Sequence, residues 1–371
     1  MKFSSLLLIC SLALATGTFA TTRIACVGNS ITYGYGIVTW PDTTTYPHHL
    51  QMLLGNADTV ANFGVSSMTF LKAGGASYWT SWQFPNAIAY LADKVIIELG
   101  TNDAKFFTAW SSISADSLLK DYEALIDTFA TLSSAPEIWT TLAPYASNSS
   151  WGIYDTTITE HINPVIAQAA IDKGVNVIDL HSVFTDRSHL LTDDTVHPDT
   201  AGARILAETV YKYMTWTAPT FSQNGNKLTA SAGYGYQWYK DGAAVDGATS
   251  QSLTITAAGT YKVSVKVESN TDSRRVSAAV AVTDLNSAYI PGTAASFSRA
   301  AIQGNTLRIT LSKGAAVSAA LFDMQGRTLR AFRLQGIRGT NSFTLPERNS
   351  QSILRIDVNG KTQTLSIPAN R

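Results

Sequence analysis

Short apolar runs alternate with amphipathic stretches from residue 21 to about residue 215. Each apolar run has four to six residues, the length of a buried strand. The stretches between them, such as Ser117–Thr131 and Ile158–Lys173, repeat apolar residues every three or four positions, as helices do. The five runs are Arg23–Val27, Thr59–Asn62, Lys94–Leu99, Glu137–Leu142 and Asn176–Leu180. This alternation predicts an α/β fold with a doubly wound parallel sheet, whose ligand site lies outside the carboxyl ends of the strands.

Charge and cysteine content exclude several classes of protein. The chain has 27 Lys+Arg and 27 Asp+Glu, which argues against nucleic acid or an anionic membrane surface as the main partner. Two cysteines rule out a disulfide scaffold and a zinc site built from cysteines. Residues 299–371 hold 11 basic and 3 acidic side chains, whereas residues 21–298 hold 15 and 24, a net charge of −9. The two parts are therefore expected to have different roles.

The first 20 residues have the layout of a secretory signal peptide. Lys2 precedes the apolar run Leu6–Ala15, and small residues continue to Ala20. The run is too short to span a bilayer, so we expect no stable membrane insertion. Cleavage after Ala20 would leave Cys26 as the one thiol, in an apolar strand where a buried core residue is expected.

The character of the sequence changes after Trp216. Short strand-like runs are separated by Gly and Asn turns, with Asp241-Gly242 and Asp246-Gly247 as hairpin signals. We predict a small antiparallel β sandwich over residues 216–284, a linker over 285–298 and a β-rich domain over 299–371. Few contacts are expected to cross the boundary between residues 215 and 216.

Polar residues and glycines follow three of the predicted strands. Gly28-Asn-Ser-Ile-Thr32 follows the first strand, and there Ser30 is either an exposed nucleophile or the cap of the next helix. The second strand ends in Asn62-Phe-Gly64 and the third in Gly100-Thr-Asn-Asp103. The backbone N–H of Gly64 and the side-chain amide of Asn102 are suitable donors for an oxyanion, although either residue could simply form a turn.

A histidine with a nearby carboxylate completes these signals. Asp194-Thr-Val-His-Pro198 precedes a helical stretch. An imidazole that acts as a base needs an acceptor on its other nitrogen, and Asp194 lies three residues before His197; Asp193 competes for that role. All these residues are expected at one edge of one sheet, which predicts acyl transfer.

These segments resemble, in order, the four sequence blocks of the SGNH hydrolases, also called GDSL esterases, over residues 23 to about 214. The resemblance implies a flavodoxin-like fold, Ser30 as nucleophile, His197 as base and Asp194 as its orienting carboxylate. It also implies an oxyanion hole from the N–H groups of Ser30 and Gly64 and the amide of Asn102. Such a site needs no cofactor, and no cluster of His, Asp and Glu has the spacing of metal ligands.

One position departs from the family pattern. Asn29 stands where the family usually has Asp. This difference is expected to affect substrate tuning or loop stability more than catalysis.

Further motifs resemble the carbohydrate-acting, sialate O-acetylesterase-like branch of this family. They include Tyr46-Pro47, Asn62–Ser66 and Tyr78-Trp79. Aromatic faces stack on sugar rings, so Tyr78 and Trp79 are predicted to bind substrate, with core packing as the alternative. The resemblance implies a serine esterase acting on O-acetyl esters of a carbohydrate, with acetylated xylan as the example. The alternatives are a sialate or small-ester O-acetylesterase and, from another class, an inactive carbohydrate-binding or adhesive protein.

The β-rich parts carry weaker resemblances. Residues 216–284 resemble a bacterial immunoglobulin-like module, with Trp238 as the core tryptophan and Tyr261 as the corner tyrosine. The final segment resembles the sorting domains of type IX secretion on Phe322–Arg327 and Gln363–Ile367; a third adhesive or sugar-binding domain is the alternative. These features imply a secreted or cell-surface bacterial protein, with the secretion machinery or the cell surface as a further partner.

Overall fold

The computed structural model describes most of the chain in two compact units, of which the first ends at Tyr289 and the second begins at Ile290. The predicted signal peptide and most of the predicted linker lie outside the described residues. The description covers residues 21–371 except 110–112, 284, 286–287, 290–296, 304–305, 312–314, 324–327, 337–338, 346–351, 359–360 and 368–371.

Five parallel strands form the centre of the first unit, as predicted. They are β1 (Thr22–Gly28), β2 (Asp58–Gly64), β3 (Lys94–Glu98), β4 (Glu137–Leu142) and β5 (Asn176–Asp179). Their order in the sheet is β2-β1-β3-β4-β5. All neighbouring pairs among them are parallel, so their carboxyl ends lie at one edge of the sheet.

Helices cover both faces of this sheet. On β3, Val95 and Ile97 belong to one apolar cluster and Ile96 to the other, because successive side chains of a strand point to opposite faces. Burial on both faces explains why these strands read as continuous apolar runs. The helices are α1 (Ser30–Tyr33), α2 (Tyr46–Leu54), α3 (Gln83–Ala89), α4 (Thr101–Ala109), α5 (Ala115–Ala130), α6 (Asp155–Thr157), α7 (Asn163–Lys173) and α8 (Thr200–Thr215).

The lone cysteine of the described residues lies inside this core. Cys26 is fully buried between the sheet and the helices, as the sequence predicted. Burial raises the pKa of its thiol to about 12, so the group stays protonated and unreactive.

The rest of the first unit is antiparallel. One sheet has the order β10-β7-β6-β14, and the other strands extend the central sheet in the order β5-β12-β11-β8-β9, with β13 paired to β11. Trp238 and Val263 on the extended sheet share an apolar core with Phe221 and Leu228 on the other. The strands are β6 (Phe221–Asn224), β7 (Lys227–Ala230), β8 (Tyr234–Lys240), β9 (Ala243–Ala244), β10 (Ser252–Thr254), β11 (Gly259–Lys266), β12 (Arg274–Val276), β13 (Val280–Val282) and β14 (Ala288–Tyr289).

Contacts cross the predicted boundary at residues 215 and 216, contrary to the expectation that few would. Strand β12 pairs with the edge strand β5, and the N–H of Val276 donates to Asn176 Oδ1 (2.9 Å). At the end of β5, the N–H of Asp179 donates to Ser273 Oγ (2.9 Å), and Asp179 Oδ2 accepts from the N–H of Asp272 (3.1 Å). An edge strand presents unpaired backbone groups, and β12 satisfies them here. The α/β part and the antiparallel part therefore form one compact unit.

A buried arginine reinforces this junction. Arg275 Nη1 lies 2.7 Å from Glu137 Oε1, and its guanidinium group lies 4.4 Å from the ring centroid of Trp139. The side chain of Arg275 is only 9% exposed, so losing its partner would leave a buried charge unpaired.

The second unit consists of β strands in two sheets. The first sheet has the order β15-β16-β19 and the second β18-β17-β20-β21, which agrees with a β-rich domain over 299–371. The strands are β15 (Phe297–Gln303), β16 (Thr306–Leu311), β17 (Ala315–Asp323), β18 (Thr328–Gly336), β19 (Gly339–Thr344), β20 (Ser352–Val358) and β21 (Lys361–Ile367). Across the described part of the chain, no helix is both long enough and apolar enough to cross a bilayer.

Candidate active site

Ser30 is the first residue of α1, and Asn29 alone separates it from the end of β1. The cap of this helix is Asn29, whose Oδ1 accepts a hydrogen bond from the N–H of Ile31 (2.8 Å). Ser30 therefore does not serve as the cap, and its hydroxyl turns to His197 instead. Strands β1 and β3 pair Gly28 with Glu98, so the segments that follow both strands meet at the same edge of the sheet.

Ser30, His197 and Asp194 form a continuous hydrogen-bonded chain. His197 Nε2 lies 2.7 Å from Ser30 Oγ, and His197 Nδ1 lies 2.7 Å from Asp194 Oδ2. Ser30 and His197 are buried, at 7% and 5% exposure. This arrangement allows the imidazole to take the proton of the Ser30 hydroxyl while the carboxylate holds the ring in one orientation.

The turn between Asp194 and His197 is arranged around the carboxylate. Thr195 adopts a positive φ of 59°, and Asp194 Oδ1 accepts from the N–H groups of Val196 and His197, both at 2.9 Å. Burial by itself raises the pKa of Asp194, but the hydrogen bonds from His197 and Val196 outweigh it and leave the pKa below its ordinary value. Asp194 is thus held as an anion beside the imidazole, and it is the carboxylate, rather than Asp193, that bonds the ring in the structure.

Gly64 does not occupy the place predicted for it. Its N–H already donates to Asn62 Oδ1 (2.9 Å), and it is not among the residues that line the pocket around Ser30. A Cβ at this position would lie 2.2 Å from the backbone N of Tyr33, so the glycine is required by the close packing of β2 against α1. The structure does not support Gly64 as an oxyanion donor.

Ser67 lies where Gly64 was expected. It lines the pocket together with Ser30, Asn102 and His197. Its backbone has a positive φ of 66°, and in the described part of the chain no acceptor is bonded to its N–H. A positive φ is usually adopted by glycine. Because a serine occupies this position, the sequence did not indicate the positive φ.

Two neighbouring residues of α4 hold the loop that carries Ser67. Asn102 Nδ2 donates one hydrogen bond to the carbonyl of Met68 (3.1 Å), which leaves its second amide hydrogen for another acceptor. The buried carboxyl group of Asp103 accepts from the N–H groups of Phe70 (3.0 Å) and Leu71 (3.2 Å). These bonds fix the loop relative to α4.

Asn29, which departs from the family pattern, contacts a buried acid. Its Nδ2 donates to Glu98 Oε1 (3.5 Å), and Glu98 Oε2 accepts from the hydroxyl of Thr32 (2.9 Å). Burial raises the pKa of Glu98 to about 8 despite these hydrogen bonds. Asn29 therefore stabilises the loop by capping α1 and pairing with Glu98.

The structure places Tyr78 in the core and Trp79 against it, away from the pocket around Ser30 where substrate binding was predicted. Tyr78 is fully buried and donates its hydroxyl to the carbonyl of Phe63 (2.7 Å), while Trp79 Nε1 donates to the carbonyl of Phe70 (2.9 Å). Neither residue lines the pocket. Both rings pack against the apolar core, and their polar atoms bond backbone carbonyls there.

Two other aromatic residues flank the histidine. The ring centroids of Tyr35 and Trp151 lie 4.7 Å and 5.9 Å from that of His197, and both residues are partly exposed. The pocket has a cavity volume of about 270 Å³. Its lining consists of Ser30, Tyr35, Ser66, Ser67, Asn102, Lys105, Trp151, Ile153, Val196 and His197. Among the described residues, no group of three or more His, Cys, Asp and Glu side chains could hold a metal ion.

Replacing Gly64 with alanine is expected to destabilise the fold by about 3 kcal/mol, because the new methyl group would overlap the backbone of α1. Thermal and denaturant unfolding measure this loss. Gly75→Ala is the matched control, since a Cβ at Gly75 meets no atom within 4 Å. Equal stability of the two variants would contradict the close packing described for Gly64.

Part of the chain is similar to known proteins. Residues 26–205 match the model of the GDSL-like Lipase/Acylhydrolase family. An acetylxylan esterase of Xylanibacter ruminicola is 34% identical over 205 residues, which cover 51% of this chain and 42% of that protein. The chain therefore spans less than half the length of this curated relative.

Solved structures of similar proteins cover about half of the chain. The match to a lipase/acylhydrolase from Enterococcus faecalis has 19% sequence identity and a TM-score of 0.42. It covers 52% of this chain and 95% of that protein's chain. The match to the acetyl xylan esterase AlAXEase has 20% sequence identity and a TM-score of 0.40. It covers 51% of this chain and 98% of that protein's chain. The match to the GDSL-like Lipase/Acylhydrolase family includes the Ser30 and His197 segments, so residues 26–205 form a GDSL/SGNH hydrolase domain.

Proposed function

We propose that this protein is a serine esterase that removes acetyl groups from a carbohydrate, with acetylated xylan as its substrate class. The observation that carries the proposal is the chain of 2.7 Å hydrogen bonds from Ser30 through His197 to Asp194, which opens onto a pocket. The same geometry argues against the alternative of an inactive carbohydrate-binding or adhesive protein, because sugar binding alone does not require a hydrogen-bonded Ser30–His197–Asp194 chain.

The reaction follows from the positions of these atoms. Ser30 Oγ attacks the carbonyl carbon of the acetyl group and passes its proton to His197 Nε2. When the intermediate collapses, His197 returns this proton to the departing sugar oxygen, which leaves an acetyl ester on Ser30. His197 then takes a proton from water, the water oxygen attacks the acyl carbon, and Ser30 leaves with the proton as acetate is released.

Three donors support the negative charge that develops on the carbonyl oxygen. They are the N–H of Ser30, the N–H of Ser67 and the free amide hydrogen of Asn102, all of which belong to residues that line the pocket. Ser67 replaces Gly64 in this set, because the N–H of Gly64 is already bonded to Asn62.

The choice of substrate rests on the relative and on the pocket. The curated relative is named an acetylxylan esterase. A cavity of about 270 Å³ has room for an acetyl group and part of a sugar, and the exposed rings of Tyr35 and Trp151 offer faces on which a sugar ring can stack.

Acetate release from a panel of esters tests the proposal. We expect release from acetylated xylan and acetylated xylo-oligosaccharides, at a higher kcat/KM than from 4-nitrophenyl acetate or O-acetylated sialic acid. A clear preference for the sialic acid, or for simple esters only, would favour a sialate or small-ester O-acetylesterase instead.

Replacing Asn102 with alanine is expected to lower kcat by roughly 10²- to 10³-fold, the usual loss for one oxyanion donor, with little change in KM. Steady-state kinetics on 4-nitrophenyl acetate measure both values. A change confined to KM would make Asn102 a substrate-binding residue and would overturn its oxyanion role.

We also propose roles for the regions outside the hydrolase domain. The antiparallel part of the first unit is an immunoglobulin-like module, supported by the buried Trp238 in its core and by the Tyr261 hydroxyl, which bonds the carbonyl of Ala257 (2.7 Å) as a corner tyrosine does. The basic C-terminal domain serves type IX secretion or surface attachment. The signal-like N-terminus supports a secreted or cell-surface location.

A further inference from the structure

A loop between β4 and α6 is bonded to the turn that carries the catalytic histidine. Asn148 Nδ2 donates to the carbonyl of Asp194 (2.8 Å), and the N–H of Ser147 donates to the carbonyl of Thr195 (3.1 Å). The hydroxyl of Thr195 donates back to the carbonyl of Ser147. The residues joined in this way lie 46 to 48 positions apart in the chain. The loop therefore bonds the carbonyls of two consecutive residues of the turn.

The backbone of this turn needs support from outside. Thr195 adopts a positive φ of 59°, a conformation that β-branched residues rarely adopt. A strained backbone persists only where the surrounding structure holds it. The carbonyl of Asp194 precedes the strained Cα and the carbonyl of Thr195 follows it, so the loop bonds the chain on both sides of the strain. The same turn places the Asp194 carboxylate 2.7 Å from His197 Nδ1, and its relaxation would disturb that contact.

Asn148 also holds a wall of the pocket. Its Oδ1 accepts from the N–H of Trp151 (3.2 Å), and its backbone exchanges two hydrogen bonds with that of Ile153 (2.8 Å and 3.1 Å). Trp151 and Ile153 line the pocket, as do Val196 and His197. One side chain thus connects two segments that line the pocket.

The position of Asn148 indicates an action through other residues. It is half-buried and is not among the residues that line the pocket, and both polar atoms of its side chain are bonded to backbone groups. In the sequence it stands in the polar run Ser147–Ser150, outside the motifs that predicted the site. Its contacts, rather than its neighbours in the chain, show what it holds.

We propose that Asn148 is a positioning residue of the esterase, whose amide holds the Asp194–His197 turn in the geometry that lets the imidazole take the proton of Ser30. This inference rests on the proposed function and adds a residue that touches neither the substrate nor the reacting atoms. Without its hydrogen bond to the turn, the three catalytic side chains remain present but are less well aligned. The rate of a reaction between positioned groups depends steeply on their alignment.

Two substitutions remove the amide donor in different ways. Asn148→Asp keeps the size of the side chain and its acceptor for Trp151, whereas Asn148→Ser keeps a neutral acceptor; neither has an amide N–H for the carbonyl of Asp194. We expect each variant to lower kcat on 4-nitrophenyl acetate by about 10- to 100-fold, with little change in KM. A similar fall in kcat is expected on an acetylated xylo-oligosaccharide, because the alignment of the base affects both esters.

Gln51→Ala is the matched control. The amide of Gln51 also joins backbone segments, since its Nε2 donates to the carbonyls of Gly55 (2.7 Å) and Asp58 (2.9 Å) and its Oε1 accepts from the N–H of Val60 (2.8 Å). Gln51 lies outside the pocket lining. The control should lose stability, as measured by thermal unfolding, and keep the wild-type kcat. A fall in kcat equal to that of the Asn148 variants would assign the effect to a general loosening of the fold and would overturn the proposal.

Proton NMR reports the position of the base without turnover. The proton on His197 Nδ1, in a 2.7 Å hydrogen bond to Asp194 Oδ2, is expected to resonate far downfield of the amide protons. Its absence from a His197→Gln variant assigns the signal. We expect the signal to move upfield or to broaden in both Asn148 variants and to stay unchanged in Gln51→Ala. A folded Asn148 variant with the wild-type signal would overturn the proposal.

Further outcomes separate this inference from the broader one. If Ser30→Ala keeps the wild-type rate, the proposed function fails, and the NMR signal of His197 still tests whether Asn148 positions the turn. If Ser30→Ala is inactive while both Asn148 variants keep the wild-type kcat, the role of Asn148 alone is overturned. A rise in KM for the oligosaccharide, with kcat preserved, would make Asn148 a support of Trp151 rather than of the base, which also contradicts the proposal.

Discussion

Ser30→Ala is expected to lower kcat on 4-nitrophenyl acetate by at least about 10⁴-fold, because the variant lacks the attacking oxygen. The lost atom is the one that lies 2.7 Å from His197 Nε2. The substitution removes a single oxygen from a small side chain, so circular dichroism and the melting temperature should change little. Retention of more than about a tenth of the wild-type rate would exclude Ser30 as the nucleophile.

Covalent labelling provides an independent readout of the same assignment. A fluorophosphonate probe should label the wild-type protein at Ser30, as shown by mass spectrometry of the modified peptide, and should not label the Ser30→Ala variant. Ser66→Ala is the matched control, because it removes another pocket hydroxyl and leaves the Ser30–His197 hydrogen bond in place. Loss of labelling in this control would show that the probe reports the shape of the pocket rather than the nucleophile.

A chain that ends at Thr215 is expected to melt at least about 10 °C below a chain that ends at Tyr289. The shorter chain exposes the edge of β5 and loses the partners that Ser273, Arg275 and Val276 provide to Asp179, Glu137 and Asn176. Unpaired groups and an open strand edge each lower stability and favour aggregation.

Thermal unfolding and light scattering of the two chains measure this difference. The chain that ends at Tyr289 is the matched control, because it retains the whole first unit and lacks only the second. Melting temperatures within about 3 °C of each other would mean that the contacts across residue 215 contribute little to stability, and the hydrolase domain would then be independent. Activity of both chains on 4-nitrophenyl acetate shows whether the antiparallel part also supports the active site.

The central sheet could be predicted because each of its strands is specified by residues that are adjacent in the chain. A parallel strand covered on both faces is a short continuous apolar run, and all five runs became strands. Placement of Ser30, Asn102 and His197 at one edge followed from the topology, because the carboxyl ends of parallel strands meet there. The pairing of Asp194 with His197 is also local, since Asp194 lies three positions before His197 in the chain.

The antiparallel extension of the sheet could not be predicted in the same way. Arg274 pairs with Val177 across almost a hundred residues of chain. The hairpin signals indicated antiparallel strands but did not specify which edge β12 would cover, because backbone hydrogen bonding at a free edge does not depend on side-chain type.

The sequence alone determined the strands and the segments that carry Ser30 and His197, because each depends on residues that are close together in the chain. The choice of Asp194 over Asp193 came from the structure. Only the tertiary structure decided that Ser67, and not Gly64, faces the pocket, since the loop that carries Ser67 is held at Met68 and Phe70 by Asn102 and Asp103 from another part of the chain. It also decided that Tyr78 is buried in the core, because the composition of an aromatic pair does not reveal what packs against it. The exposure and aim of a side chain are set by contacts distant in sequence, and these exist only in the folded chain.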